Sequence, residues 1–212
     1  MKKIKLNKIV YREAFIEASK IIAVGGIVCF PTETFYGLGV RFDNLQALNR
    51  LYDIKQRPCE KAMPLIIGDI SSLAMLTDHI DDKIKKIAGH FWPGPLTLLL
   101  PAKIGLSEFI TAGTGKVAVR VPGPSFAYDL ARLIPFPITA TSANISGMPA
   151  ADNPDDVIRY FGDLLDLLVD GGKTVGDKPS TIIEIEEDKV MVVRKGAISE
   201  DDILRALKSD GD

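Results

Sequence analysis

The sequence contains few of the residues that usually bind structural metals or act as nucleophiles. Its 212 residues include only two cysteines, Cys29 and Cys59, and two histidines, His79 and His90. The spacing of these four residues resembles no zinc ligand set. We therefore expect no structural metal site, with Cys29 as a small buried apolar residue and Cys59 in a loop.

An excess of one charge and long apolar runs are also missing. The 26 Lys and Arg residues are balanced by 28 Asp and Glu residues, so the net charge of -2 provides no general attraction for nucleic acid. The apolar run over residues 21–30 is interrupted by two glycines and is too short to span a bilayer. No signal-peptide pattern follows the basic start of the chain. We expect a cytoplasmic protein of one domain, residues 1–212, with no membrane contact and with anion binding confined to a local cleft.

The apolar pattern predicts helices that alternate with strands. Helices are predicted over residues 11–24, 44–57, 71–76, 81–91, 124–133, 153–162 and 199–207. Strands are predicted over residues 27–30, 63–67, 97–100, 117–121, 137–140, 167–169, 181–185 and 190–193. This order predicts an α/β or α+β fold with a mixed sheet flanked by helices. Strand alternation places Arg120 on the face opposite Val119 and Val121.

Two familiar motifs are excluded by their spacing. The sequence Gly172-Lys173-Thr174 has the end of a phosphate-binding loop, but Leu167 occupies the position of the first glycine. No Gly-x-Ser-x-Gly sequence surrounds Ser142, which disfavours a serine hydrolase. A nucleotide site in this chain must therefore use other residues.

Two short polar segments carry groups that are suited to binding anions. Lys55 and Arg57 lie at a helix exit, where an extended chain would project both side chains to one side. Ser142 and Asn144 follow a predicted strand. Each pair alone is also typical of a structural role, because cations at helix ends are often solvated and Ser or Asn side chains in turns often bond their own backbone. The two pairs together indicate a site for a polyphosphate and a small polar acceptor.

Six segments in a fixed order extend this interpretation. They are PTETFYGLG (31–39), KQRP (55–58), VRVP (119–122), TSANISG (141–147), KPSTI (178–182) and RKGAI (194–198). With this order and spacing the chain resembles the YrdC-like family of threonylcarbamoyl-AMP synthases. The resemblance implies a twisted mixed sheet around a deep basic cavity. It also implies a nucleotidyltransferase that joins L-threonine, bicarbonate and ATP to threonylcarbamoyl-adenylate and releases pyrophosphate.

The resemblance also implies roles for individual residues and partners. The ATP phosphates and the bicarbonate-derived carboxylate would be bound by Lys55, Arg57, Ser142 and Asn144. The threonine ligands would be Thr32 and Arg120, and the residues near the nucleotide would be Ser180 and Arg194. Mg²⁺ is expected to be carried mainly by the ATP phosphates. The product would pass to a tRNA threonylcarbamoyl transferase for tRNA modification, and RNA itself is a further partner associated with the family.

The resemblance to the YrdC-like family does not assign every feature of this chain. Some relatives carry a histidine where this chain has Gly68, and the chain ends soon after Leu207, so we expect the carboxy-terminal domain of longer relatives to be missing. Glu33 is either a base for the threonine amine or an anchor for its loop, and residues 111–116 are a candidate for closing the cavity. The alternative functions are an RNA-binding factor and a module that transfers carbamoyl groups from carbamoyl phosphate.

Overall fold

The computed structural model describes residues 1–176, 178–186 and 189–208. Within these ranges the chain forms eleven strands, seven α-helices and two 3-10 helices. The strands are β1 (Lys2–Lys5), β2 (Val28–Pro31), β3 (Tyr36–Gly39), β4 (Leu65–Ile66), β5 (Leu96–Pro101), β6 (Lys116–Arg120), β7 (Ile138–Thr139), β8 (Thr141–Ser142), β9 (Leu167–Asp170), β10 (Thr181–Glu186) and β11 (Lys189–Arg194). The α-helices are α1 (Tyr11–Ala23), α2 (Leu45–Lys55), α3 (Asp82–Phe91), α4 (Glu108–Thr111), α5 (Phe126–Leu133), α6 (Pro154–Phe161) and α7 (Glu200–Lys208). The 3-10 helices are Ile70–Met75 and Gly162–Leu164.

The strands form two mixed sheets, where the sequence pattern indicated one. The order in the first sheet is β1-β9-β2-β3-β8, and in the second it is β11-β10-β5-β6-β4-β7. Each sheet contains parallel and antiparallel neighbours. The mixed α/β class is therefore confirmed.

The chain passes from one sheet to the other at the end of one predicted strand. Over residues 137–140 the pattern predicts a single strand, but β7 pairs with β4 of the second sheet and β8 pairs with β3 of the first. The chain thus passes from one sheet to the other at Ala140, whose N–H still donates to the carbonyl of Pro64. Local periodicity cannot detect this change of partner.

The predicted helices are confirmed to within a few residues because their caps are encoded locally. Asn44 caps α2 by accepting a hydrogen bond from the Ala47 N–H at 3.0 Å, and Asn153 caps α6 with Pro154 at its first position. Five elements were not predicted: β1, β3, β8, α4 and the 3-10 helix Gly162–Leu164. Strand β1 is rich in lysine and forms because it pairs in parallel with β9, not because of its own apolar pattern.

The second sheet has one apolar face and one mixed face. Alternate residues of β5 and β6, including Leu98 and Val119, enter the larger hydrophobic core. The residues between them, including Thr97 and Arg120, face a cavity instead. The predicted orientation of Arg120 is therefore confirmed, and the period of the strands determines which side chains are available for chemistry.

Three further expectations concern cysteine, the membrane and domain boundaries. Cys29 is buried, Cys59 is exposed, and both are free thiols, as predicted. Among the residues that the structure describes, no helix is both long enough and apolar enough to cross a lipid bilayer. The assignment of residues 1–212 to one domain stays a prediction, and residues 177, 187–188 and 209–212 lie outside the described part.

Candidate active site

A cavity of about 580 Å³ is lined by residues from both sheets. This volume is typical of sites for small ligands. In the described part of the chain, the charged side chains that line it are three arginines, Arg57, Arg120 and Arg194. The other predicted site residues on its wall are Thr32, Ser142, Asn144 and Ser180. Lys55 is the one predicted site residue that is not part of this wall.

The loop between β2 and β3 forms one wall and is closed by threonine side chains. The Thr32 hydroxyl donates to the Phe35 carbonyl at 2.7 Å and accepts the Thr34 N–H at 3.0 Å. The two threonine hydroxyls also lie 3.0 Å apart. Thr32 and Thr34 thus form a compact turn that presents hydroxyl groups to the cavity.

Arg120 enters the cavity as half of a buried ion pair. Its Nη1 donates to Oε1 of Glu33, and the two side chains are only 8% and 14% exposed. Oε2 of Glu33 is buried and has no partner among the described residues. Burial lowers the pKa of Arg120, and the neighbouring carboxylate opposes that shift. Glu33 therefore anchors Arg120 in this structure, and its role as a base stays a prediction.

Arg194 and Ser180 form a second polar group on the same wall. Nη2 of Arg194 donates to the Ser180 carbonyl at 2.7 Å and to its hydroxyl at 2.8 Å. That hydroxyl lies 2.9 Å from the Thr97 hydroxyl. Burial, followed by the positive charge of Arg120, lowers the pKa of Arg194, so the two arginines interact electrostatically. Sequence reasoning missed Thr97, although its alternation with Leu96 and Leu98 was a usable signal.

The segment that joins Lys55 and Arg57 is not extended, so the geometric reason for grouping the two residues was wrong. Lys55 ends α2, and Gln56 adopts the left-handed conformation with φ 48 and ψ 46. The N–H groups of Gln56 and Arg57 donate to the Asp53 and Tyr52 carbonyls, which completes a Schellman motif. The two cationic side chains consequently take different environments.

Arg57 reaches the cavity while holding its own loop. Its Nε donates to the Lys61 carbonyl at 2.8 Å, and its Nη2 donates to the Ala62 carbonyl at 2.6 Å. The Lys61 carbonyl also accepts the Tyr52 hydroxyl at 2.6 Å. Burial lowers the pKa of Arg57. The guanidinium group is thus fixed in place before any ligand arrives.

Lys55 points to the turn that follows β8. Its side chain is fully buried, with a residue exposure of 1%. The ammonium group donates to the carbonyls of Ser142 and Asn144 at 2.5 and 2.8 Å, and to Oδ1 of Asn144 at 3.3 Å. Burial, followed by the charge of Arg57, lowers the pKa of Lys55 to about 7. The three oxygen acceptors act in the opposite direction, because they stabilise the ammonium form.

The same turn presents Ser142 and Asn144 to the cavity. The Ser142 hydroxyl donates to Oδ1 of Asn144 at 2.7 Å, and Nδ2 of Asn144 donates to the Met148 carbonyl at 2.6 Å. Both side chains therefore bond within the turn, as a structural reading of the pair predicts, and both also line the cavity. The two interpretations are compatible.

Gly68 lies where a side chain does not fit. A Cβ built on this residue would lie 2.7 Å from the Ala131 carbonyl oxygen and 2.9 Å from Cα of Arg132, both in α5. Residues Pro64 and Ile66 reach the cavity from this segment, and Gly68 is not among the lining residues. A histidine side chain would therefore have no room at position 68 of this chain.

Within residues 1–176, 178–186 and 189–208, no group of three or more His, Cys, Asp or Glu side chains could hold a metal ion. The cavity therefore offers positive charge and hydroxyl groups rather than a carboxylate cage.

Comparison with known proteins identifies the family. A family model for the Sua5, YciO and YrdC proteins, described as Telomere recombination, matches residues 20–196. This chain belongs to the Sua5/YciO/YrdC family. The family resemblance inferred from the six segments is thereby confirmed.

Curated members of the Sua5/YciO/YrdC family align with most of this chain. A threonylcarbamoyl-AMP synthase of Bacillus subtilis (strain 168) is 37% identical over 188 residues, which are 88% of this chain and 54% of that protein. A threonylcarbamoyl-AMP synthase of Pyrococcus abyssi is 35% identical over 190 residues, which are 90% of this chain and 56% of that protein. The chain thus spans about half the length of these two curated relatives.

A solved Sua5 structure shares the fold. The crystal structure of P. abyssi Sua5 complexed with L-threonine superposes with a TM-score of 0.89 at 34% identity. The alignment covers 98% of this chain and 60% of that chain. The architecture described above is therefore that of the Sua5/YciO/YrdC family.

Proposed function

We propose that this chain is an L-threonylcarbamoyladenylate synthase that uses L-threonine, bicarbonate and ATP and releases pyrophosphate. The observation that carries the proposal is the convergence of three arginines with Ser142 and Asn144 on one cavity of about 580 Å³. Two relatives of at least 35% identity are named threonylcarbamoyl-AMP synthases, and a related Sua5 structure contains L-threonine. These similarities support the same activity in this chain.

The reaction needs two bond-forming steps. The threonine amine attacks the carbon of bicarbonate, and loss of water gives a carbamate. A carbamate oxygen then attacks the α-phosphorus of ATP while the bond to pyrophosphate breaks. Phosphoryl transfer of this kind depends on positioning and charge neutralisation and does not require a side-chain nucleophile. A cavity lined by arginine, serine and asparagine suits that requirement.

We assign the substrate contacts according to charge and position. Arg120 would bind the threonine carboxylate, with Thr32 on the adjoining wall. Arg57, Ser142 and Asn144 would bind the phosphates and the new carbamate. The nucleotide would approach Ser180 and Arg194. Each assignment places a fixed donor against a negatively charged or polar part of a substrate.

Other components of the reaction are proposed on chemical grounds. Mg²⁺ would enter as its ATP complex, because it prefers oxygen ligands and is commonly bound through substrate phosphates. The adenylate product is a mixed anhydride and therefore an activated threonylcarbamoyl donor. On the basis of the family resemblance, the proposed consumer is a tRNA threonylcarbamoyl transferase, and the proposed location is the cytoplasm.

Pyrophosphate release tests the proposed activity directly. The protein would be incubated with ATP, Mg²⁺, bicarbonate and L-threonine, and each substrate would be omitted in turn. We expect release that requires both threonine and bicarbonate. Threonine-independent release would overturn the proposal. Carbamoylation from carbamoyl phosphate, or salt-sensitive RNA binding without pyrophosphate release, would favour the alternative functions instead.

A matched pair of arginine variants tests the cavity itself. Arg57→Ala should lose about 2–4 kcal/mol of transition-state stabilisation, because it deletes one preorganised charge. Arg12 lies on an exposed surface of α1, so Arg12→Ala should retain wild-type turnover. Comparison of kcat/KM for the two variants checks this. Equal activity in both variants would remove Arg57 from the site.

A further inference from the structure

Thr97 lines the cavity but has no place among the substrate contacts assigned above. Its side chain belongs to β5 and is buried, with a residue exposure of 2%. We propose that Thr97 is a positioning residue that directs the Ser180 hydroxyl toward an anionic oxygen of a bound substrate. This inference rests on the proposed function, because it adds a residue to that site.

The hydroxyl groups of Thr97 and Ser180 carry one hydrogen more than the protein accepts. Each hydroxyl has one hydrogen to donate and two lone pairs that accept. The two oxygens lie 2.9 Å apart, so one of the two hydrogens lies between them. The other contact of the pair is the donation from Nη2 of Arg194 to the Ser180 oxygen at 2.8 Å. Among the described residues, the second hydrogen therefore has no acceptor, and both residues line the cavity.

Arg194 makes the Ser180 hydroxyl the stronger donor of the two. Its guanidinium donates to the Ser180 oxygen, and a cation at that oxygen polarises the O–H bond. An anion is the strongest acceptor and forms its best hydrogen bond with the strongest donor. The Thr97 hydroxyl then donates to the second lone pair of the Ser180 oxygen, which leaves the Ser180 hydrogen for the ligand.

The position of Thr97 in the sheet selects a negatively charged ligand atom. Strand β5 lies between β6 and β10. Strand β6 ends at Arg120, and Ser180 directly precedes β10. Arg120 and Arg194 also line the cavity, so two guanidinium groups share this wall with the hydroxyl pair. The threonine carboxylate and the ATP phosphates both supply oxygens of the required charge.

Thr181 is a structural threonine in the same region of the chain. Its side chain is fully buried. The hydroxyl donates to the Ile198 carbonyl at 2.7 Å and accepts the Ile198 N–H at 2.9 Å. Its single hydrogen is therefore already used, and Thr181 is not among the residues that line the cavity. Thr181 provides a matched control for Thr97.

Steady-state kinetics of pyrophosphate release test the role of Thr97. Thr97→Val keeps the shape of the side chain without its hydroxyl and should lower kcat/KM by roughly 3- to 10-fold, the scale of one hydrogen bond. The loss should appear as a higher KM for threonine or for ATP, and the affected substrate identifies the anionic oxygen. Thr97→Ser keeps the donor and should restore the wild-type KM, whereas Thr181→Val should leave both KM values unchanged. Wild-type kcat/KM in Thr97→Val would overturn the proposal.

A double-mutant cycle tests whether Thr97 acts through Ser180. In a Ser180→Ala background, Thr97→Val should lower kcat/KM by less than about 2-fold, because the hydroxyl that it positions is already absent. Multiplicative losses would show that the two residues act independently and would overturn the proposal.

Calorimetric titration with L-threonine and with Mg-ATP separates this inference from the proposed function. Thr97→Val should bind at least one of these two probes roughly 3- to 10-fold more weakly than the wild type, and Thr97→Ser and Thr181→Val should bind both normally. This pattern in a protein that releases no pyrophosphate would refute the synthase activity and still support the role of Thr97. Unchanged affinity of Thr97→Val for both probes would overturn that role whatever the activity. A wild-type protein that binds neither probe would overturn both.

Discussion

Arg120 and Lys55 are two buried cations that the protein compensates in different ways. The guanidinium of Arg120 is paired with a carboxylate, that of Glu33. The ammonium of Lys55 is surrounded by oxygens of neutral groups on the turn after β8. Arg120 reaches the cavity, and Lys55 does not.

The difference shows that a buried charge can serve either the ligand or the scaffold. Pairing Arg120 with Glu33 keeps that part of the wall electrically neutral while a planar donor still faces the cavity. The carbonyl oxygens around Lys55 stabilise a positive charge but consume its donors. The two sites should therefore respond differently when the cation is removed.

The largest effect is expected at Arg120. Arg120→Met would leave the buried carboxylate of Glu33 without its partner, which should lower the free energy of unfolding by about 3–5 kcal/mol. Urea unfolding monitored by circular dichroism measures the change. The double variant Arg120→Met/Glu33→Gln removes both charges and should recover a substantial part of the loss. A double variant as unstable as the single one would show that the pair is not the cause.

Removing the ammonium of Lys55 should cost less stability. Lys55→Met leaves neutral oxygen acceptors without a donor, and the expected loss is about 1–3 kcal/mol. Two of these oxygens keep another partner, since the Ser142 carbonyl accepts the Asn144 N–H and Oδ1 of Asn144 accepts the Ser142 hydroxyl. The same urea titration gives the comparison. A loss larger than that of Arg120→Met would reverse the proposed ranking of the two sites.

Gln56 lies between Lys55 and Arg57, and it can be substituted without removing either positive charge. Gln56 has a positive φ of 48, which is unfavourable for a residue with a Cβ. Gln56→Gly should raise the free energy of unfolding by about 0.5–1 kcal/mol, because glycine adopts this conformation without steric strain. Asn49→Gly, at an exposed position in the interior of α2, is the control and should destabilise the protein, because glycine is less favourable than asparagine inside a helix. Thermal unfolding of both variants distinguishes a conformational effect from a general effect of glycine.

The smallest loss of stability is expected at a partly exposed ion pair, that of Arg50 and Asp166. The side chains of Arg50 and Asp166 are 43% and 37% exposed, so Asp166→Asn should cost only about 0.2–1 kcal/mol. Burial raises the pKa of Asp166, but hydrogen bonds from Arg50 and the Ile27 N–H outweigh it and hold this pKa below 3.8. The carboxylate therefore stabilises the fold above pH 3.8, and this contribution is lost as the pH falls through the lower folded-state value.

Measurements of unfolding against pH check that sign. The difference in stability between the wild type and Asp166→Asn should be constant near neutrality and should shrink below pH 3.8. A difference that grows on acidification would contradict the assignment.

Much of the secondary structure was predictable because its signals are local. Asn44, Asp81 and Asn153 each cap the helix that follows them. Alternation within β6 correctly oriented Arg120. Strand β3 was missed because the residues that precede and follow it read as one continuous loop. Its formation depends on pairing with β2 and β8.

The candidate site was predictable in composition more than in arrangement. The six segments identified the family, and all of the predicted site residues except Lys55 line the cavity. Lys55 is the exception because Gln56, which follows α2, has a left-handed conformation. The side chains of Lys55 and Arg57 therefore point in different directions. A left-handed glutamine has no strong sequence signal, so the extended geometry was the natural but wrong expectation.

The amino-acid sequence was enough to predict the periodicity of the elements, the helix caps, the mixed α/β class and the family of this protein. Only the three-dimensional structure shows that the chain passes from one sheet to the other at Ala140, that the Thr97 hydroxyl meets Ser180 beside Arg194, and that the Lys55 ammonium donates to the turn after β8. These features depend on contacts between distant segments, such as the 87 residues that separate Lys55 from Ser142. Local patterns encode which elements form, and the packing of the two sheets decides which side chains meet.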